Sequence, residues 1–199
     1  LMVHGGSGLL AASLGVASAA LDSTPMVVLS ATQERKAMEN GWWQTLDVQK
    51  PVGDFVKFQT RVERPDQAVA AVRDALRESV SGKPGVAQID IPIDVSVTEL
   101  GEGDVPAPVK AMAPMLRPFP DPDAVARVVD LLRDAERPVI LIGGGTNYSG
   151  AGTAIMALAE LLQAPVVNSP TSRGVLPESH PLVLGASGII GYEPIGDAI

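Results

Sequence analysis

The chain has 199 residues, room for one large or two small domains, and its 46% hydrophobic and 19% charged residues favour a packed core over disorder. The formal net charge of −8 argues against nucleic acid as a partner, because phosphate binding needs a basic face. There is no cysteine and only two histidines, His4 and His180, so a disulfide framework and thiolate or multi-histidine metal sites lack their residues.

Leu1–Val3 reads as the end of a buried strand, followed by a tight glycine turn at His4-Gly5-Gly6-Ser7-Gly8. Leu9–Leu21, rich in Ala, Ser and Leu, predicts a helix that Asp22-Ser23-Thr24-Pro25 stops, since proline cannot continue it. That stretch is too short to span a bilayer, and no basic segment precedes it, so no membrane or signal segment is expected and the location reads as cytoplasmic. Met26–Leu29 suits a strand buried on both faces, and Thr32–Asn40 an exposed loop with a helical turn. Val56–Val62 alternates as a half-buried or edge strand does. Pro65–Val80 predicts an amphipathic helix, with Val69, Val72, Leu76 and Val80 on its buried stripe and Arg73, Asp74, Arg77 and Glu78 outside. Val86–Ile91 is a further strand.

From Asp94 the rhythm breaks, and prolines 106, 108, 114, 118 and 120 mark a linker over 101–120. Beyond it come a helix over Pro122–Ala135 with Asp121 as N-cap, a strand at Pro138–Ile142, a turn at Gly143-Gly144-Gly145, a helix over Ser149–Leu162 and a strand at Pro165–Val167. The low aromatic content, 4%, also favours helices packed on sheets. The expected fold is therefore α/β: parallel sheets with flanking helices, in two partial domains (1–100 and 121–199) joined by the Pro-rich linker. The apolar start at Leu1 and the helix-like end at Ile199 read as cut edges.

Three motifs offer chemistry. Gly5-Gly6-Ser7-Gly8, between strand and helix, either lets the backbone approach a ligand near helix N–H donors or is simply a turn that needs positive φ. Gly143-Gly144-Gly145 has part of a dinucleotide loop but not its full spacing, and no acidic residue ends the next strand at Val167-Asn168. Trp42-Trp43-Gln44 places adjacent tryptophans in a polar stretch, suited to a ligand cleft, a subunit interface or a plug into the core. His180, in Pro177–Pro181, reads as structural. Asp90, in a strand, is expected to face solvent or a helix N-terminus.

Taken in order, these segments resemble the thiamine-diphosphate enzyme family that includes acetolactate synthase, benzoylformate decarboxylase and oxalyl-CoA decarboxylase. Gly6-Ser7-Gly8 stands where the family has Gly-Pro-Gly, Asp22–Val28 resembles "DSIPMVV", Trp43–Asp47 resembles "FQEVD", and Lys57 falls at the Lys of "PVTK". Lys83–Val86, Asp90–Val95, Arg137–Gly145, Leu158–Val166 and Pro177–Pro181 with Gly185 resemble later family segments. The resemblance implies the later part of a pyrimidine-binding domain and the beginning of a central Rossmann-like domain. It implies a 2-keto-acid decarboxylase or carboligase whose cofactor, activated as its ylid, cleaves or forms C–C bonds next to a carbonyl, working as a homodimer or homotetramer on a small 2-keto acid. Gly6, Ser7, Gly8 and Gln44 would bind thiamine diphosphate and Trp43 would line the substrate pocket. The catalytic Glu would lie upstream of Leu1 and the Mg²⁺ ligands downstream of Ile199, so this segment would hold neither catalytic nor metal residues and would be inactive alone. FAD or ADP at Gly143, Gly144 and Gly145 is the alternative, as a nucleotide-binding module, and an inactive scaffold is a third reading. Ser7 for Pro, Ala11 for Asn, Trp43 for Phe and Ile93 for Lys depart from the family pattern and leave the substrate open.

Overall fold

The computed structural model describes residues 1–101 and 118–187. Most of the expected linker lies outside the described residues, and the chain divides into two compact units, Leu1–Pro118 and Phe119–Ile199, each with its own sheet.

The first unit runs β1 (Met2–His4), α1 (Gly5–Leu21), β2 (Met26–Thr32), α2 (Arg35–Glu39), α3 (Gln49–Val52), β3 (Phe58–Arg61), a 3₁₀ turn (Pro65–Gln67), α4 (Ala68–Val80), β4 (Val86–Pro92) and α5 (Ile93–Ser96). Its sheet is parallel, in the order β1-β2-β4-β3. β2 and β4 begin as apolar runs, as expected of strands covered on both faces, and β4, in the interior of the sheet, is the most deeply buried, whereas the edge strand β3 (Phe-Gln-Thr-Arg) is mainly polar. β1 lies at an edge with Leu1 and Met2 exposed, which corrects the expectation of a buried strand. On one face Met26, Val28 and Val86 meet Leu9, Val16 and Ala19 of α1 and Val52 of α3. On the other, Ala87 and Ile89 meet Ala68, Ala71 and Ala75 of α4.

Two local expectations need correction. The His4–Gly8 turn is compressed into one residue: Gly5 alone takes φ +55°, and Gly6, Ser7 and Gly8 are already helical. A left-handed φ costs an L-residue about 1–2 kcal/mol, so the glycine is needed here. α4 packs through Ala75 and Ser79 with Ala68 and Ala71, one residue round from the predicted stripe, whose Val69 and Val72 are exposed. Small side chains let the helix axis approach β4 closely, and the valines flank that contact. The stop after α1 is as expected: Ser23 is left-handed and the Thr24 N–H returns to the Ala19 carbonyl at 2.8 Å before Pro25.

The second unit runs α6 (Pro122–Arg133), β5 (Ile140–Ile142), α7 (Gly144–Ser149), α8 (Gly152–Leu162), β6 (Val166–Asn168), a 3₁₀ turn (Pro170–Ser172) and β7 (Val183–Ala186). Its sheet is also parallel, β5-β6-β7, around Ile142, Ala159, Val166 and Leu176. Asp121 caps α6 as expected, accepting from the N–H groups of Asp123 (2.8 Å) and Ala124 (3.3 Å). The triple glycine is not a free turn: Gly143 is the N-cap of α7, and Gly144 and Gly145 are helical. The single helix expected over Ser149–Leu162 is broken by Gly150, left-handed at φ +67°. Among the described residues no helix is long and apolar enough to cross a membrane.

Candidate functional site

In an open parallel α/β sheet, ligands gather outside the carboxyl ends of the strands. In the first unit this is where β1 gives way to α1 and β2 ends at Thr32. The apolar pattern of β2 and β4 changes here: along one face, Met26, Val28 and Val86 give way to Ser30, Thr32, Gln88 and Asp90, all four of these polar groups buried.

A connected set of hydrogen bonds satisfies most of them. Gln59 Nε2 donates to Gln88 Oε1 (2.7 Å) and to the Gln49 carbonyl (2.9 Å), and Gln88 Nε2 donates to Ser30 Oγ (2.7 Å). Ser30 Oγ in turn lies 3.3 Å from Asp90 Oδ1. Arg61 Nε donates to Asp90 Oδ2 at 2.6 Å, and Arg61 Nη2 reaches Asp47 Oδ1 at 3.3 Å. Partial burial disfavours the Arg61 cation, but Asp90, with Asp47 and Glu63, outweighs it and holds its pKa above the ordinary guanidinium value. Asp90 is thus a fully buried ion-pair partner, a correction to the expectation that it faces solvent or a helix end.

The β2–β3 connection folds over this end. Leu46 packs on the start of α1 so closely that a Cβ at Gly6 would lie 2.5 Å from Leu46 Cβ. Gln44 is left-handed at φ +58°, a conformation that strains a non-glycine residue. A Cβ at Gly5 would lie 3.7 Å from Gln44 Oε1 and 3.8 Å from the Ala31 carbonyl oxygen, so the Gln44 side chain reaches the junction of β1 and α1 beside the end of β2. Gln44 Oε1 and Thr32 Oγ1 are both buried without a hydrogen-bond partner. An unsatisfied buried polar atom costs about 1–3 kcal/mol, and one of the two here belongs to the strained residue itself.

The sequence-derived residues therefore divide. Gly6 and Gln44 are brought together through Gly5 and Leu46. Ser7 and Gly8 lie on the same first turn, Ser7 exposed and Gly8 half-buried. Trp43 is 70% exposed and Trp42 64%, which removes the reading of a plug into the core. Lys57 is at the opposite, amino end of the sheet, donating to the carbonyls of Ser81 and of Lys83 (2.9 Å), so it pins the α4–β4 turn. Thr32 and Arg61 were not singled out by motif, and Leu46 and Asp90 stood only inside the family-like segments Trp43–Asp47 and Asp90–Val95, with no site role given to either. The one available signal was Gln88 and Asp90 at alternate positions of an apolar strand, which puts two polar groups on one buried face.

In the second unit, Gly143, Gly144 and Gly145 lie at the carboxyl end of β5. A Cβ at Gly144 would lie 3.2 Å from Thr171 Oγ1 and one at Gly143 3.8 Å from Ser169 Oγ, whereas Gly145 faces open space. Ser169 and Thr171 hydroxyls are 3.0 Å apart, Ser172 Oγ donates to the Ile142 carbonyl at 2.9 Å, and buried Asn168 leaves its Oδ1 unpaired. His180, in its turn, accepts from the Leu182 N–H at Nδ1 and has Nε2 3.4 Å from Glu160. Among the described residues, no three His, Cys, Asp or Glu side chains are grouped to hold a metal.

Residues 125–199 match the family model of the thiamine pyrophosphate enzyme central domain. The chain is 32% identical over 187 residues to a probable acetolactate synthase large subunit of Methanocaldococcus jannaschii, covering 93% of this chain and 32% of that one. It is 30% identical over 183 residues to oxalyl-CoA decarboxylase of Escherichia coli K12, covering 90% of this chain and 32% of that one. Across nearly its whole length the chain is similar to thiamine-diphosphate-dependent enzymes. It spans about a third of the length of these curated relatives. In fold it superposes on the thiamine-diphosphate-dependent 4-hydroxybenzoylformate decarboxylase of Rhodococcus jostii RHA1 with a TM-score of 0.78, at 21% identity, covering 93% of this chain and 35% of that one. The parallel sheets with flanking helices are those of the thiamine-diphosphate enzymes.

Proposed function

We propose that the chain forms part of a thiamine-diphosphate-dependent decarboxylase or carboligase acting on a small 2-keto acid or related substrate, and that its first unit supplies one wall of the cofactor site. The observation that carries this is the pair of unpartnered buried atoms, Gln44 Oε1 and Thr32 Oγ1, at the carboxyl end of the first sheet. They fit the polar edge of an aminopyrimidine, a group with donors and acceptors on one rim and flat apolar faces. The missing side chains at Gly5 and Gly6 keep backbone and loop close together there.

When bound, thiamine diphosphate with Mg²⁺ would supply the electron sink for cleaving or forming a bond next to a carbonyl. This chain's own residues would bind and orient. Gln44 would hold the pyrimidine edge, Gly6 and the helical Ser7 and Gly8 would floor the site, and exposed Trp43 would line the substrate side. The acid, the metal ligands and the rest of the pocket would come from other parts of the enzyme and from a second subunit of a homodimer or homotetramer. Such an enzyme is expected in the cytoplasm. Ile93, apolar where acetolactate synthases carry a lysine, removes a fixed cation and leaves the acceptor open.

A second reading, a flavin or ADP on the second unit, is favoured by the unpaired Asn168 Oδ1 at the end of β6, register partner of Ile142, the residue before Gly143. Thermal-shift measurements on a full-length protein carrying this chain separate the two. Stabilisation by thiamine diphosphate with Mg²⁺ supports the first, and stabilisation by FAD or ADP alone supports the second.

A further inference from the structure

The stretch that carries Gln44 is held from one side by packing and from the other by charge. Leu46 rests on Gly6, and Val48 is buried in the core beneath α1. Between them, Asp47 is half-exposed, with its Oδ1 accepting from Arg61 Nη2 and from the Gln49 N–H, each at 3.3 Å, and its Oδ2 3.7 Å from Lys50 Nζ. Arg61 ends β3, and its Nε is fixed at 2.6 Å on fully buried Asp90, its register partner on β4. One guanidinium therefore spans from the middle of the sheet to the loop, using two different nitrogens.

We propose that Arg61 is a positioning residue, bridging buried Asp90 to Asp47 so that the Trp43–Asp47 stretch keeps Gln44 in its strained left-handed conformation facing the cofactor site. The inference rests on the reading of Gln44 as a cofactor-binding residue. The fork geometry is essential, because a lysine offers a single ammonium and cannot occupy both donor positions at once. Asp90 retains Ser30 and a cation in an Arg61→Lys variant, so the sheet keeps its internal pairing while the loop loses its tether. Asp47→Ala removes the tether from the other end and leaves the Arg61–Asp90 pair untouched.

The loop carries its own probe, since Trp42 and Trp43 are the only tryptophans of this chain. In a full-length protein carrying this chain, with Trp42 and Trp43 kept as its only tryptophans, Arg61→Lys and Asp47→Ala are expected to lower tryptophan anisotropy and raise acrylamide quenching, with the urea midpoint little changed. An exposed ion pair of this kind shifts a local closed-to-open ratio by up to about fivefold. In a full-length protein carrying the chain, the same two variants are expected to weaken thiamine diphosphate binding by a comparable factor, and Gln44→Leu to weaken it in a protein whose loop stays ordered. Wild-type anisotropy and quenching in both variants would overturn the proposal. A loosened loop with unchanged cofactor affinity would overturn the positioning role. Should Gln44→Leu also leave affinity unchanged, the fault lies with the reading of Gln44 itself and not with the bridge.

Discussion

Gly6 has no room for a side chain. Its position on the first turn of α1 is where Leu46 descends, and a methyl there would sit 2.5 Å from Leu46 Cβ, an atom that cannot swing away. Gly6→Ala is expected to destabilise the chain by about 1–3 kcal/mol, as other forced overpacking does, and to displace the Gln44 stretch. A lowered urea midpoint together with increased acrylamide quenching of the tryptophans would report both effects. At this scale the sequence showed the glycines but not their cause. Within Gly5–Gly8, positive φ belongs to Gly5 alone, and Gly6 is required by a contact forty residues away, which no local pattern encodes. The strain at Gln44 was likewise invisible, because a left-handed glutamine has no sequence signature.

At the scale of elements, period-two and helical patterning located most strands and helices, because buried parallel strands are apolar runs and helices here are punctuated by proline and glycine. It misplaced the buried face of α4 by one residue, since hydrophobicity favours Val over Ala whereas close helix–sheet packing favours Ala. Two substitutions check which face is buried. Ala75→Val, overpacking against β4, is expected to cost about 1–3 kcal/mol, and Val72→Ala, at an exposed position, about 0.5 kcal/mol or less, by chemical denaturation. The loop ends are joined electrostatically. Arg35, opening α2, pairs with Asp94 of α5 at 2.7 Å and with Glu63 after β3 at 3.3 Å. Partial burial would raise the Asp94 pKa, but the hydrogen bonds and charge of Arg35 overrule it and hold the carboxyl below its ordinary value of 3.8. A carboxyl depressed in the folded state contributes stability above its unfolded pKa and loses it as pH falls through the lower folded value. Wild type is therefore expected to exceed Asp94→Asn in stability at neutral pH. The gap should close as pH falls below about 4, measured as paired urea midpoints along a pH series.

At the scale of the whole molecule, fold class was legible in the alternation of apolar runs with helical segments punctuated by glycine and proline, whereas the family was legible only through the resemblance of ordered segments such as Asp22–Val28, Trp43–Asp47 and Asp90–Val95 to those of the thiamine-diphosphate enzymes. The polar belt of Ser30, Gln88, Asp90, Gln59 and Arg61 was not, because its members come from three strands and meet only once the sheet is assembled. That belt supports the carboxyl end of the first sheet, over which the β2–β3 connection folds with one glutamine and one threonine still unpaired. The claim that a cofactor completes them is tested most directly by isothermal titration of thiamine diphosphate with Mg²⁺ into a full-length protein carrying this chain, comparing wild type with Gln44→Leu. The account predicts saturable binding to wild type and affinity reduced about tenfold or more in the variant, the loss of one buried hydrogen bond worth about 1.4 kcal/mol. No binding to wild type, or equal affinity in the two proteins, would contradict it.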